Sequence, residues 1–273
     1  MKATIIISVY KDVQALNIII EALQNQSYPI DEIIISEDGN SKEIKEYFSS
    51  LKFKNIKHLS QDDNGWQKNR ALNRAIQASN NEYLIFIDGD CVPYSNFIES
   101  HLKLQEKKTV LCGRRTEPGE KFSKQLREES LSIKDFTKNY IKNYFQLKKD
   151  QIRHYDEGFY FHHNSMILKL LAFIRRKKEN HIVGCNFSCW KEDLEKINGF
   201  DEDFLLPTTG EDSDIERRMK HFGVKMKSCR YSANTIHLYH EKLFNPEISS
   251  KTEALMETKK DIFICKSGLK KLN

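Results

Sequence analysis

The sequence predicts an α/β protein with a mostly parallel central sheet flanked by helices. Three observations predict it. Short β-branched runs alternate with amphipathic segments from Ala3 to Cys112. The runs are continuously apolar, as in strands buried on both faces. Their ends carry Ser8-Val9-Tyr10, Glu37-Asp38 and Asp88-Gly89-Asp90, at the position where ligands sit in such sheets.

Each element follows from its residues. Ala3 to Val9 is a buried strand. Val13 to Gln24 places Leu16, Ile19, Ile20 and Leu23 at helical spacing, with Asp12 as its cap. Tyr28-Pro29 ends that helix. Glu32 to Ser36 is the second strand and closes on the turn sequence Glu37-Asp38-Gly39-Asn40. Ser41 caps a helix running to about Leu51, and Asn55 to Leu59 is a weak third strand. Gln67 to Ala78 is a helix with Leu72, Ala75 and Ile76 on one side. Tyr83 to Ile87 is the clearest strand. Asn96 to Glu106 is a helix and Thr109 to Cys112 a strand. From Glu120 to Glu179 the pattern breaks into helices and loops. Lys and Arg outnumber Asp and Glu there by enough to hold the whole net charge. Regular structure resumes from His181 to Trp190 and continues to His240. The last thirty residues, with Ile262, Phe263 and Ile264, read as a closing helix.

The chain has 273 residues, enough for one large domain or two small ones. At 39% hydrophobic and 30% charged residues it is neither a disordered tail nor a membrane-embedded chain. The net charge of +5 is well short of a dedicated nucleic-acid binder, so no nucleic-acid partner is expected. The N-terminal apolar run is too short for a signal-peptide core, and no apolar run reaches roughly 18 residues. A cytoplasmic location is expected. The six cysteines are scattered in apolar segments and read as reduced, buried thiols. Cys185 and Cys189 have no second pair to complete a zinc site. Met166 to Ile174 is an apolar helix followed by Arg175-Arg176-Lys177-Lys178. Two readings stay open: a helix lying on an anionic membrane surface, or a core helix with a basic last turn.

Asp88-Gly89-Asp90 is the sharpest chemical signal. Two carboxylates at i and i+2 beyond a buried strand repel unless a cation sits between them. A hard divalent ion, Mn²⁺ or Mg²⁺, bridging to a diphosphate relieves that repulsion. An acidic Asp-Gly turn is the bland alternative. Glu37-Asp38 supplies a second acidic strand end, able to accept from a base N–H or a ribose hydroxyl, and Tyr10 can stack on a base. No G-x-G-x-x-G or P-loop motif occurs. A nucleotide held without glycine loops, with a D-x-D carrying metal, is the logic of a sugar-nucleotide site.

At this point the sequence resembles a family. Ile5-Ile6-Ile7-Ser8-Val9-Tyr10-Lys11, Gln26-Ser27-Tyr28-Pro29, Glu32 to Asn40 and Phe86-Ile87-Asp88-Gly89-Asp90 look like the family 2 glycosyltransferases of the GT-A fold. Gly184 to Leu194, Asn198-Gly199-Phe200-Asp201-Glu202 and Gly210-Glu211-Asp212-Ser213-Asp214 are similar to the C-terminal galactosyltransferase motif. That motif occurs in β-1,4-galactosyltransferases and bacterial chondroitin-polymerase-type domains. The resemblance covers residues 3–113 and 182–240, not the basic insert. It implies a single GT-A domain over 1–273. Residues 1–115 would be the nucleotide-binding half, 120–180 a basic helical insert, 181–240 the acceptor and catalytic half, and 241–273 a C-terminal helical segment.

The resemblance also implies roles. Ser8, Tyr10 and Asp38 match uridine-contacting positions, with Glu37 beside them. Gln67, in Asn64-Gly65-Trp66-Gln67, matches the segment covering the nucleotide. Asp88 would contact ribose or sugar beside Gly89, and Asp90 would bind metal. Asp212, next to Glu211, matches the catalytic base, and His237 the metal-ligating histidine, with His240 as its competitor. Asn186 and Trp190 read equally as acceptor-binding residues or as turn and core residues. Two departures stand out. Thr208-Thr209 replaces the family's frequent Trp-Gly, and Leu72-Asn73 an Arg-Asn pair, so Lys68 or Arg70 would supply charge for the diphosphate.

The expected activity is metal-dependent, inverting transfer of a hexose or N-acetylhexosamine from a UDP-sugar to a saccharide hydroxyl. Galactose and N-acetylgalactosamine are favoured. The expected acceptor is a saccharide or lipid-linked glycan in bacterial surface polysaccharide synthesis, with an anionic membrane surface as a possible partner of the insert. A catalytically silent sugar-nucleotide- or glycan-binding module and a nucleotidyltransferase are the competing readings.

Overall fold

The computed structural model describes residues 1–175, 178–207, 210–241 and 245–272. Arg176, Lys177, Thr208 and Thr209, singled out above, lie outside the described residues.

The first half of the chain folds as the periodicity predicts. In order come β1 (Thr4–Val9), α1 (Val13–Gln24), β2 (Glu32–Glu37), α2 (Lys42–Ser50), β3 (Ile56–Ser60), α3 (Lys68–Ala78) and β4 (Tyr83–Asp88). The predicted caps form. Asp12 Oδ1 accepts from the Ala15 N–H at 2.9 Å, and Ser41 Oγ from the Ile44 N–H at 3.2 Å. After β4 come β5 (Cys91–Pro93), α4 (Phe97–Leu104), β6 (Thr109–Cys112) and β7 (Arg114–Thr116). The insert contains α5 (Glu120–Arg127), α6 (Ile133–Lys138), α7 (Tyr144–Lys149), a 3₁₀ turn at Tyr155–Gly158 and α8 (Met166–Arg175). The second half adds β8 (Asn186–Trp190), α9 (Lys191–Lys196), α10 (Gly210–His221), β9 (Lys225–Ser228), β10 (Asn234–His237) and α11 (Pro246–Thr258).

Among the described residues, seven strands form one sheet in the order β3-β2-β1-β4-β8-β6-β9. Pairing is parallel from β3 through β4 and again between β6 and β9, whereas β8 runs antiparallel between β4 and β6. Alternate residues of each central strand enter different cores. Ile5, Ile7, Ile33, Ile35, Ile85 and Ile87 pack with α1. Ile6, Ile34, Leu84 and Phe86 pack with Leu72 and Ile76 of α3 and Ile215 and Met219 of α10. Both faces being covered explains the uninterrupted apolar runs.

Three features depart from the reading of the sequence. A second, three-stranded sheet, β5-β10-β7, forms from segments too short to carry a period. Ile262, Phe263 and Ile264 lie beyond α11, and Ile262 and Ile264 are exposed. The insert is part of the body, since Phe122, Leu126, Phe136, Tyr140 and Leu147 join the core against α1. All six cysteines are unpaired and buried, as expected.

Helix α10 is anchored by a buried ion pair. Arg218 Nε meets Asp214 Oδ2 at 2.7 Å, and Arg218 Nη1 donates to the Ile197 and Gly199 carbonyls at 2.8 Å. Both side chains are 1% exposed. Removing one partner leaves the other charge buried without compensation, so Asp214→Ala is expected to cost about 3–5 kcal/mol. A urea-unfolding midpoint unchanged from wild type would overturn this.

Candidate functional site

The topology brings the ends of three strands and the start of one helix to one edge. Ser8 is the penultimate residue of β1, Asp38 follows β2, Asp88 ends β4, and the first turn of α10 supplies Glu211 and Asp212. Gly89 is required where the chain leaves β4. Its N–H donates to the Ser8 carbonyl at 2.7 Å, and a Cβ there would stand 2.8 Å from that same oxygen.

Lys68, at the start of α3, is the hub. Its Nζ lies 2.9 Å from Asp88 Oδ1 and 3.9 Å from Glu211 Oε1. Burial alone favours the neutral amine, but Asp88, Glu211 and Asp212 together hold Lys68 charged and raise its pKa. Ser8, Lys68, Asp88, Gly184, Glu211 and Asp212 line one small void of about 10 Å³. The two acidic motifs, far apart in sequence, thus converge through a single lysine. Burial raises the carboxyls of Glu211 and Asp212, with Lys68 opposing the shift in both. Glu211 Oε2 is buried without a hydrogen-bond partner.

Asp212 is positioned by backbone. Its Oδ2 accepts from the Gly184 N–H at 2.8 Å, and a Cβ at residue 184 would stand 2.6 Å from Asp212 Oδ1. Gly184→Ala is therefore expected to displace this carboxylate. Turnover should fall about tenfold or more, with nucleotide affinity changed less than about threefold. Equal losses in turnover and nucleotide affinity would show general disruption instead.

A second cluster flanks the first. Asp90 Oδ2 lies 3.4 Å from Nε2 of both His237 and His240. Antiparallel pairing of β5 with β10 sets His237 opposite Cys91, and the Leu238 N–H donates to the Asp90 carbonyl at 2.9 Å. Burial opposes ionisation of Asp90, but hydrogen bonds from His237 and His240 hold its carboxyl well below the usual range. His240 Nδ1 lies 3.1 Å from the Glu241 carbonyl oxygen. One ligand atom each from Asp90, Cys91 and His237 lies within 4.8 Å of the others. The Asp90 carboxylate and the His237 imidazole at this spacing fit a divalent cation. Both histidines suggested by the sequence lie beside the Asp90 carboxylate. Beside them a cleft of about 530 Å³ is lined by His237, Tyr239, His240, Glu117 and the insert residues Glu120, Lys149, Asp150 and Arg153.

Of the residues expected to contact the nucleotide, Asp38 is buried. Its Oδ1 accepts from Gln61 Nε2 at 2.8 Å and its Oδ2 from the Gln67 backbone N–H at 2.7 Å. Burial raises its carboxyl, with those hydrogen bonds opposing. Gln67 thus meets Asp38 through its backbone, while its side chain accepts from Arg70 at 3.3 Å. Tyr10 is exposed, its hydroxyl 3.2 Å from Asp63 Oδ2.

Three expected ligand residues are placed otherwise. Glu37 is fully buried, with Oε1 accepting from the Ser41 N–H at 2.7 Å and Oε2 2.7 Å from His58 Nε2, so it ties β2 to β3 and α2. Asn186 is fully buried with every polar atom engaged: Nδ2 donates to the Arg114 and Ala233 carbonyls at 2.8 Å, and Oδ1 lies 3.2 Å from His101 Nε2. It joins the two sheets and offers nothing to an acceptor. Trp190 pairs with Tyr83 at the opposite end of β4, roughly 16 Å along the strand from Asp88. Its Nε1 donates to the Glu106 carbonyl at 3.0 Å, and Lys107 Nζ sits 3.4 Å from its ring centroid. Gln61 carried no motif in the sequence. Lys68 was visible there only as one of two candidate cations.

Comparison with known proteins agrees with this geometry. The model of glycosyl transferase family 2 matches residues 4–190, and that described as the N-terminal domain of galactosyltransferase matches residues 165–241. The chain is 31% identical to Escherichia coli chondroitin synthase over 105 residues, which are 37% of this chain and 15% of that one. It is 30% identical to glycosyltransferase AglE of Haloferax volcanii over 101 residues, 35% of this chain and 33% of that one. Both matches span well under two thirds of the relatives' own lengths. The fold is similar to that of GalNAc-T7 solved with UDP, GalNAc and Mn²⁺: TM-score 0.61, 13% identity, 94% of this chain and 48% of that one. It is also similar to a Pyrobaculum calidifontis mannosyltransferase solved with GDP-Man and Mn²⁺: TM-score 0.54, 13% identity, 89% of this chain and 58% of that one. A β4 that ends in a D-x-D, a helix α10 whose Glu211 meets it through Lys68, and a family match over more than half the sequence lead to one assignment: the chain belongs to glycosyl transferase family 2 and has the GT-A fold.

Proposed function

We propose that the chain transfers a hexose or N-acetylhexosamine from a UDP-sugar to a saccharide hydroxyl, with inversion and in a metal-dependent way. The match to a galactosyltransferase domain favours galactose or N-acetylgalactosamine. The observation that carries the reading is the convergence of Asp88, Lys68, Glu211 and Asp212 on one void, with Asp90, His237 and His240 alongside.

The chemistry assigned to each group follows. Asp212 takes the proton of the acceptor hydroxyl as that oxygen's lone pair forms the bond to the anomeric carbon. The bond from that carbon to the diphosphate oxygen breaks, and its electrons leave with UDP. Asp90, His237 and His240 would hold Mn²⁺ or Mg²⁺, which supplies neutralisation of the diphosphate charge when bound. Ser8, Tyr10 and Asp38 hold the nucleoside, and Asp88 the ribose or sugar. Lys68 keeps Asp88 and the Glu211–Asp212 pair close together without charge repulsion separating them.

The acceptor enters the cleft between the insert and the His237–His240 corner, as a saccharide or lipid-linked glycan of bacterial surface polysaccharide synthesis. The protein then works as a cytoplasmic enzyme, peripheral on the inner face of the plasma membrane. No helix among the described residues is long and apolar enough to cross a membrane.

The test is UDP release from a panel of UDP-sugars, with and without Mn²⁺, by wild type and Asp90→Ala. Metal-dependent release from one donor, lost in the variant, is the expected result. Absence of both release and UDP binding would overturn the reading.

A further inference from the structure

Helix α8 carries its apolar side chains on the wrong side for a soluble protein. On a 3.6-residue period, Leu168, Leu171 and Arg175 share one face, and these are the half-buried positions. Met166, Ile167, Leu170, Phe173 and Ile174 share the opposite face and are 53–75% exposed. No residue of α8 is buried. An ordinary surface helix points its apolar stripe inward and its charges outward. Here the broad apolar stripe faces solvent, and an exposed patch of this kind marks a surface with a partner.

The charges around the stripe indicate what that partner is. Lys169 flanks it on the helix, Arg175 ends the helix, and Lys178 follows; Lys169 and Lys178 are exposed. The sequence between adds Arg176 and Lys177. No acidic residue occurs from Asp156 and Glu157 to Glu179, a stretch that carries these five cations. A cleft of about 480 Å³ lies beside the inward face of α8, lined by Leu168, Leu171, Met226 and Tyr231 among others. A stripe of large apolar side chains flanked by Lys169 and followed by a run of cations matches the acyl boundary and anionic headgroups of a lipid surface.

We propose that α8 is a membrane-docking helix that lies in the interface of an anionic bilayer, with Met166, Ile167, Leu170, Phe173 and Ile174 toward the acyl chains and Lys169 and Lys178 at the headgroups. The docking rests on the outward face of α8 and stands apart from the donor chemistry. It deepens the reading of a lipid-linked acceptor by naming the surface on which that acceptor is met.

The experiment is vesicle co-sedimentation of the whole chain, using phosphatidylcholine with and without phosphatidylglycerol. Wild type is expected to sediment with the anionic vesicles and about tenfold less with the neutral ones, the difference shrinking as salt is raised. The double variant Leu170→Ser/Phe173→Ser changes only exposed positions, and is expected to lose about tenfold or more of the binding. Lys169→Glu/Lys178→Glu is expected to remove the preference for anionic lipid. Equal sedimentation with both vesicle types, or no effect of the double variant, overturns the proposal. So does a dimer in analytical ultracentrifugation that Leu170→Ser/Phe173→Ser dissociates, since a second copy would then cover the face. UDP binding in the presence of Mn²⁺, measured by thermal shift on the same preparations, separates the two ideas. Vesicle binding lost with UDP binding kept removes the docking alone; the reverse removes the donor reading alone.

Discussion

Asp212→Asn is expected to lower turnover by about 10²–10⁴-fold while leaving nucleotide affinity within about threefold. Asparagine keeps a carbonyl oxygen for the Gly184 N–H, which now holds Asp212 Oδ2 at 2.8 Å, but cannot take a proton from the acceptor. The same variant is expected to be no less stable than wild type. Burial raises the Asp212 carboxyl to about 6, so its ionised form is disfavoured in the folded chain. The sign follows from linkage. The folded state binds this proton more tightly than the unfolded chain, so ionisation costs stability above about pH 6, a cost relieved as pH falls toward the unfolded value. Replacing the carboxylate with a neutral amide removes a cost of about 1–3 kcal/mol at pH 7. Lys68 retains Asp88 at 2.9 Å and Glu211 at 3.9 Å as partners.

The pH profile follows from the same group. Turnover should rise with pH through about 6, as the Asp212 carboxyl loses its proton, and should fall below it. Glu211 is raised as well, with burial again the leading cause, so the rising limb belongs to the pair. Glu211→Gln separates the roles. If Asp212 is the base, the glutamine variant keeps most of its turnover and shifts the limb. A dead Glu211→Gln beside an active Asp212→Asn would move the assignment to Glu211, whose Oε2 is buried without a partner.

The second large effect is expected at Asp90. Asp90→Ala removes the carboxylate that both imidazoles face at 3.4 Å, and turnover should fall about 10³-fold. The two histidines should differ in degree. His237 is buried and fixed in β10 opposite Cys91, whereas His240 is half exposed beyond the strand. His240→Ala is therefore expected to raise the Mn²⁺ requirement by about 10-fold and to recover at high Mn²⁺, while His237→Ala should not recover. Mn²⁺ titrations of UDP binding read this without turnover. Identical Mn²⁺ dependence in wild type and Asp90→Ala would remove the metal from this corner.

Sequence and structure divide the explanation along a physical line. Period and caps settled the local elements: the β-branched runs became β1, β2 and β4, and Asp12 and Ser41 cap the helices they were expected to cap. A strand buried on both faces has to end at the sheet edge, so Asp38, Asp88 and Asp90 were legible as candidate site residues from the strands that precede them. Asp212 and His237 needed the resemblance as well, because an acidic first turn and a lone histidine have commoner explanations. Only the tertiary structure decided which polar groups remained for a ligand. Glu37 and Asn186 sit in motif positions, yet their atoms are taken by Ser41, His58, Arg114, Ala233 and His101. Trp190 sits at the far end of its strand because β8 runs antiparallel to β4. Lys68 gained its role from contact with Asp88 and Glu211, and the latter lies on α10, remote in sequence. Helix α8 read either as a core helix or as a helix on an anionic membrane surface, and the tertiary structure leaves its apolar face exposed. The reason is common to all four. Periodicity reports which residues of an element share a face, a property of the local backbone, whereas the element that covers that face is fixed by long-range packing that no local pattern encodes.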